Sequence, residues 1–108
     1  MVEMINMELK IQILDYTKIG DVECTRPLVE FSESEIPNIM ERIDWFSCFT
    51  NESGEGWVEI CEYHFEKFIE DCEYDTAINW TKEEMKFISI INEELARDKY
   101  GFVRLNIY

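Results

Sequence analysis

The two ends of the chain share one pattern, in which apolar and polar residues alternate. Residues 7–16 read MELKIQILDY, and their apolar positions on one side are Leu9, Ile11 and Ile13. Residues 102–108 read FVRLNIY, and their apolar positions are Val103, Leu105 and Ile107. Alternation of this kind is typical of a strand with one buried face. The pattern therefore predicts a strand at each end of the chain, and we expect these two strands to pair.

Two stretches between these strands have the three-and-four spacing of amphipathic helices. The first is expected over about residues 34–44, and either Ser32 or Ser34 could cap it. Pro37 fits only in a first helical turn, which favours the later start. The second is expected over about residues 82–98, where Thr81 and Glu84 have the spacing of a capping box. Its expected buried face is formed by Met85, Ile88, Ile91 and Leu95, widened by Phe87.

Shorter segments connect these elements. We expect a polar loop over residues 17–27, a short strand or an extended lead-in over 28–31, a strand over 44–50, and a turn over 51–56, which reads NESGEG. With 108 residues, the chain is of single-domain size. The sequence therefore predicts one α+β domain over residues 1–108, in which a small antiparallel sheet has its first and last strands at the termini. About three helices are expected to cover one face of that sheet in a single layer.

Residues 55–73, EGWVEICEYHFEKFIEDCE, have two interpretations. As one helix, they gather six glutamates within roughly 80° of one another, away from the apolar residues. These glutamates are Glu55, Glu59, Glu62, Glu66, Glu70 and Glu73. Alternatively, residues 58–60 form a strand that pairs back on 44–50, and the helix begins near Glu62 with the last four glutamates only. We take the longer helix as the expectation.

The same stretch contains Cys61, Cys72 and His64, the only histidine, which raises the question of a metal or thiol site. Zinc signatures usually combine two tight ligand pairs, and only one is present here. On a continuous helix Cys72 would also lie about 16 Å beyond Cys61, too far to share one ion. We therefore expect no metal or cofactor. All four cysteines, including Cys24 and Cys48, are expected to be reduced and mostly buried in a cytoplasmic chain.

Catalytic motifs are not evident in the sequence. No nucleophile elbow is present, and the ESGEG segment is too acidic to cradle a phosphate. With 24 acidic residues, pairs of carboxylates arise by chance and indicate nothing about acid–base catalysis. We expect no enzymatic activity. A small enzyme or thiol–metal protein centred on Cys61 and His64 is kept as an alternative.

Charge gives the strongest indication of function. The 24 acids face 10 bases, for a formal net charge of -14, which disfavours direct binding to nucleic acid. No apolar run is long enough to span a membrane. Residues 52–75 hold nine acids and one base, although glutamates four apart on a helix repel by roughly 0.2–0.5 kcal/mol per pair. This density favours a surface that attracts a basic partner, although the acids could also serve solubility alone.

In composition only, the chain resembles phage and mobile-element inhibitors that mimic nucleic acid against restriction or CRISPR enzymes. The resemblance implies a non-enzymatic DNA-mimic inhibitor that binds a basic, nucleic-acid-handling protein. The expected contacts are the six glutamates together with Tyr63, Tyr74 and Trp45, whose rings would add apolar area. An immunity or antitoxin protein against a basic nuclease toxin would use the same electrostatics, and the sequence does not separate the two.

Overall fold

The first and last strands pair in the computed structural model, which describes residues 8–19, 22–74, 78–97 and 101–108, and the side chains of all these except 16–19 and 22–26. Strand β1 spans Lys10–Ile19 and runs antiparallel to β5, Phe102–Ile107. Ile11 lies opposite Ile107, and Ile13 lies opposite Leu105. The predicted strands at the two ends, and their pairing, are confirmed.

Three further strands complete an antiparallel sheet: β2 (Val22–Ser32), β3 (Ser47–Thr50) and β4 (Gly56–Cys61). The strand order is β2-β1-β5-β4-β3, so β2 and β3 are the edges. The polar loop expected over residues 17–27 is wrong, because β1 continues to Ile19 and β2 already begins at Val22. A polar edge hairpin lacks the apolar alternation from which strands are recognised. Pro27 is tolerated because β2 is an edge strand with a bulge beside it.

The helix expected over 34–44 is divided into three short pieces. A 3₁₀ turn spans Glu33–Glu35, helix α1 spans Pro37–Glu41, and a second 3₁₀ turn spans Ile43–Trp45. In the first turn, Ser32 donates its backbone N–H to Glu35 Oε1 at 2.7 Å. The helix is interrupted at Ile36, because the residue before a proline disfavours helical φ and ψ angles. Pro37 then opens α1, and it therefore lies in a first helical turn, as predicted.

The continuous helix expected over 55–73 is also wrong. Residues 56–61 form β4, which pairs with β3 and β5, and helix α2 spans Glu62–Tyr74. The turn before β4 explains the difference: Gly54 and Gly56 have φ values of 86° and 150°, and a Cβ on Gly56 would lie 2.2 Å from the Phe49 carbonyl oxygen. Only glycine permits this close approach of the two strands. The alternative in which a strand precedes the helix is therefore confirmed.

Helix α3 spans Lys82–Arg97, as predicted to within one residue. Its buried face is centred on Phe87 and Ile91, whereas Met85, expected on that face, is 56% exposed. The helices cover one face of the sheet in a single layer, and the core between them contains ring contacts such as Phe31–Phe87 (5.6 Å) and Phe46–Phe68 (5.1 Å). The predicted α+β arrangement is therefore confirmed. None of the helices in the described ranges has the length and apolar character that crossing a membrane requires.

Candidate interaction site

Helix α2 buries one narrow face and exposes the rest. Phe65, Phe68 and Cys72 are buried against the sheet, at steps of three and four residues. The predicted glutamates that fall on this helix are all exposed, and we call them the acidic ridge: Glu62, Glu66, Glu70 and Glu73. At about 1.5 Å per residue, the ridge extends about 16 Å along the helix.

Two of the six predicted glutamates lie elsewhere. Glu55 is exposed in the turn between β3 and β4. Glu59 lies on β4, and its Oε1 accepts a hydrogen bond from Arg104 Nη2 on β5 at 2.7 Å. Strand alternation directs Glu59 away from the helices, because its neighbours Val58 and Ile60 are fully buried. The interpretation of Glu55 and Glu59 as part of one helical face is therefore wrong.

A groove with aromatic walls lies along one side of α2. It has a volume of about 380 Å³ and is lined by Trp45, Tyr63, His64, Lys67, Glu70, Asp71 and Tyr74. We call it the aromatic groove. Its tyrosines are strongly exposed, with Tyr63 at 64% and Tyr74 at 83%, and Trp45 is 41% exposed. The structure thus places the three predicted aromatic residues at exposed positions around a groove that Glu70 of the acidic ridge also lines.

The single base on α2 leaves the charge of the helix strongly negative. The helix contains five acids and one lysine. Lys67 Nζ lies 3.4 Å from Glu70 Oε2 and 5.8 Å from the centre of the Tyr63 ring. Both members of the ion pair are about half exposed, so it contributes little to stability. Glu70, Asp71 and Glu73 also lie in the last turns of α2, where acids oppose the helix dipole.

A second groove lies on the other side of the ridge, between α2 and α3. It measures about 300 Å³ and is lined by Phe65, Glu66, Ile69, Glu70, Glu73 and Asn92. Three of the four ridge carboxylates border this groove, and Glu70 borders both grooves. The acidic ridge is therefore a raised row of carboxylates with a concave surface on each side.

The cysteine and histidine side chains point to different parts of the molecule. Cys72 is buried in the core, Cys61 is half-buried at the end of β4 opposite Phe102, and His64 lines the aromatic groove. The assignment of Cys61 to the core is therefore wrong, since it lies on the sheet face that the helices do not cover. Cys48, Cys61 and Cys72 form no disulfide, and Cys24 lies outside the described side chains. Within the described ranges, no three His, Cys, Asp or Glu side chains meet as a metal site would require.

Some groove residues were not predicted from the sequence. Lys67 and Asp71 line the groove together with the tyrosines, because helical periodicity places Tyr63, Lys67, Glu70 and Tyr74 on one stripe at steps of four, three and four. Trp45 reaches the same groove from the 3₁₀ turn after α1, a non-local contact without a local sequence signal. No protein family matches the chain, and neither a curated protein nor a solved structure does.

Proposed function

We propose that this chain is a non-enzymatic inhibitor that docks α2 on a basic, nucleic-acid-handling surface of another protein. The observation that carries the proposal is the position of two strongly exposed tyrosines, Tyr63 and Tyr74, beside an exposed row of carboxylates. Acids that served only solubility would need no aromatic groove along the same helix. A docking surface needs both charge for attraction and rings for contact.

The electrostatic part of the proposal is competition with phosphates. The four carboxylates of the acidic ridge are spaced about 5 Å apart on average along the helix, compared with 3.4 Å per phosphate along one DNA strand. The ridge is thus sparser than a nucleic acid strand, but it is a row of anions along one side of a rigid helix. Lysines and arginines that bind phosphates would pair with it instead. The net charge of -14 would steer association and make it fast at low salt.

In the proposed complex, the exposed aromatic side chains make binding specific for one partner. Tyrosine buries a large ring at low entropic cost and is enriched among the residues that dominate binding energies. Tyr63 and Tyr74 lie about 16 Å apart along α2, and both line the aromatic groove. A partner side chain inserted between them would also meet Trp45 at the base of the adjoining 3₁₀ turn. Such a contact would distinguish one basic protein from the many that charge alone attracts.

The proposal is tested by affinity capture on the immobilised protein from the lysate of its host cells. Bound proteins are eluted in separate runs with salt and with duplex DNA at constant salt. We expect a basic protein that is released by both, because the ridge would occupy its phosphate-binding site. A Tyr63→Ala, Tyr74→Ala variant should lose this protein while retaining its own fold by circular dichroism. A captured protein that duplex DNA fails to release would contradict the competition mechanism.

A further inference from the structure

The sheet face opposite the helices, which we call the outer sheet face, carries an ordered row of side chains across all five strands. From edge β3 to edge β2 the directly opposed residues are Phe49, Trp57, Asn106, Gln12 and Glu30. Phe49 is 55% exposed and Trp57 is 46% exposed, and their ring centres lie 6.1 Å apart. Large exposed aromatics on a sheet face are typical of interaction surfaces. No element of the described chain covers them.

Among its described side chains, the outer sheet face has no net charge, in contrast to the chain as a whole. Lys10 and Arg104 balance Glu30 and Glu59. Arg104 pairs with Glu59 at 2.7 Å, and its guanidinium lies over the rings of Trp57 (5.4 Å) and Phe102 (5.8 Å). Glu30 accepts a hydrogen bond from the hydroxyl of Tyr108. The charges on this face are thus largely neutralised within the face itself.

We propose that the outer sheet face binds a second copy of this chain, forming a symmetric dimer. A basic partner would be attracted to the acidic helices and not to this neutral face. Two chains of charge -14 repel each other, and a neutral face is where they can approach closely. The face also suits self-association, since it contains aromatic rings that pack on rings and the side-chain amides of Gln12 and Asn106, each a group with both hydrogen-bond donors and an acceptor.

The dimensions of the face suit a small, weak interface. Five strands at about 4.8 Å spacing and six residues at about 3.3 Å each give a face of about 24 by 20 Å. This projection of about 480 Å² per partner is smaller than the roughly 800 Å² per partner of a standard interface, so we expect a weak dimer that forms at high protein concentration. Sheets packed face to face lie about 10 Å apart. The helices then lie on the two outer sides, where the acidic ridges are separated by much more than the roughly 8 Å screening length.

This inference does not depend on the proposed function, and salt distinguishes the two. Screening weakens the capture of a basic partner through the acidic ridge. The same screening reduces the repulsion between two acidic chains, so the dimer should be at least as stable at high salt as at low salt. A dimer would also expose two copies of α2, which could bind one partner protein together or two partner proteins separately.

The test is analytical ultracentrifugation from micromolar to several hundred micromolar protein. We expect the wild-type chain to reach twice its mass of 13.0 kDa. Phe49→Glu should weaken the dimer at least about tenfold, because it would bury an unpaired carboxylate from each chain in the interface. Tyr74→Glu is the matched control, since it adds the same charge to an exposed ring on the helical side, and it should not change the dimer.

A second variant covers the case in which Phe49→Glu fails to fold. Trp57→Ser removes the ring next to Phe49 without adding a charge, and it should also weaken the dimer. Circular dichroism verifies the fold of each variant. A wild-type chain that stays monomeric at every concentration would overturn the proposal, and so would a dimer that Tyr74→Glu weakens as much as Phe49→Glu.

Discussion

Glu84 Oε2 on α3 accepts the backbone N–H of Ile39 on α1 at 2.9 Å. The other oxygen, Oε1, accepts the backbone N–H of Thr81 at 2.9 Å and Nδ2 of Asn38 at 2.8 Å. The first turns of two helices therefore meet at one carboxylate, which is fully buried. The predicted capping box of Thr81 and Glu84 is confirmed, and its glutamate also links α3 to α1.

Glu84→Gln should destabilise the domain by about 2–3 kcal/mol. The amide of glutamine has an NH₂ group in place of one carboxylate oxygen, so a donor would face N–H groups that stay buried and lose their acceptor. Urea-induced unfolding followed by circular dichroism measures the loss. Glu83→Gln is the matched control one residue earlier, and it should cost less than about 1 kcal/mol. Equal stabilities of the two variants would show that Glu84 is not a link between the helices.

The elements that sequence predicts well are those whose signal is local and unambiguous. Strand β5 alternates without interruption, and α3 has both a capping box and apolar residues at helical spacing, of which Phe87 and Ile91 are buried. Residues 55–61 fit a strand and a helix about equally well, and the choice depends on pairing with β3 through the glycine turn. The division of residues 33–45 into short pieces likewise depends on Pro37 and on the contact with Glu84.

In the candidate site, too, some residues follow from local sequence patterns and others only from the tertiary fold. Tyr63, Tyr74 and the four ridge glutamates follow from helical periodicity within α2, and the structure places all of them at the surface. Trp45 joins them only through the tertiary fold. The outer sheet face could not be predicted, because its row of residues comes from five strands that are distant in sequence. Cross-strand neighbours become visible only once strand order and register are known.

The pairing of β1 with β5 predicts the effect of shortening the chain at its end. Lys10 and Tyr108 exchange two backbone hydrogen bonds of 2.8 and 3.0 Å, and Ile107 is buried. Removing Ile107 and Tyr108 should cost at least about 3 kcal/mol of unfolding free energy, measured by urea titration. Tyr108→Ala keeps both backbone bonds and should cost far less. A truncated chain with the wild-type unfolding midpoint would contradict the observed pairing.

The phenol of Tyr108 provides a pH-dependent prediction. Its hydrogen bond to Glu30, together with partial desolvation and the Glu30 charge, raises the pKa of Tyr108 above the ordinary value of 10.0. The fold thus favours the protonated phenol, so this stabilising contribution is present below the ordinary value and is lost as the pH rises through the higher folded pKa.

The change in phenolate absorbance with pH measures this shift. The difference between the titrations of the wild-type chain and Tyr108→Phe isolates the phenol, whose ionisation should lie above pH 10.0. Glu30→Gln should move that ionisation back toward the ordinary value, because the charged acceptor is removed. An unchanged titration in Glu30→Gln would show that Glu30 does not cause the shift.

Cys48 should react slowly with alkylating agents. Burial, followed by the negative charge of Asp44, raises the pKa of the Cys48 thiol above 9.0, and its Sγ lies 3.3 Å from the Ile43 carbonyl oxygen. Because the thiolate is the reactive form, Asp44→Asn should accelerate alkylation of Cys48 by up to about threefold near neutral pH. Mass spectrometry of the peptide that contains Cys48 gives the rate. Asp71→Asn is the matched control, and an equal acceleration in both variants would contradict the assignment.

The central claim is that the acidic ridge is the docking surface, and charge reversal tests it most directly. The double variant Glu62→Lys, Glu66→Lys is compared with Glu52→Lys, Glu55→Lys, which makes the same change in net charge at exposed residues of the β3–β4 turn. Both are immobilised and tested for capture of the partner at about 0.05 M salt, where surface electrostatics are weakly screened. We predict that the ridge variant loses the partner and that the turn variant retains it. Equal capture by both variants would contradict the account.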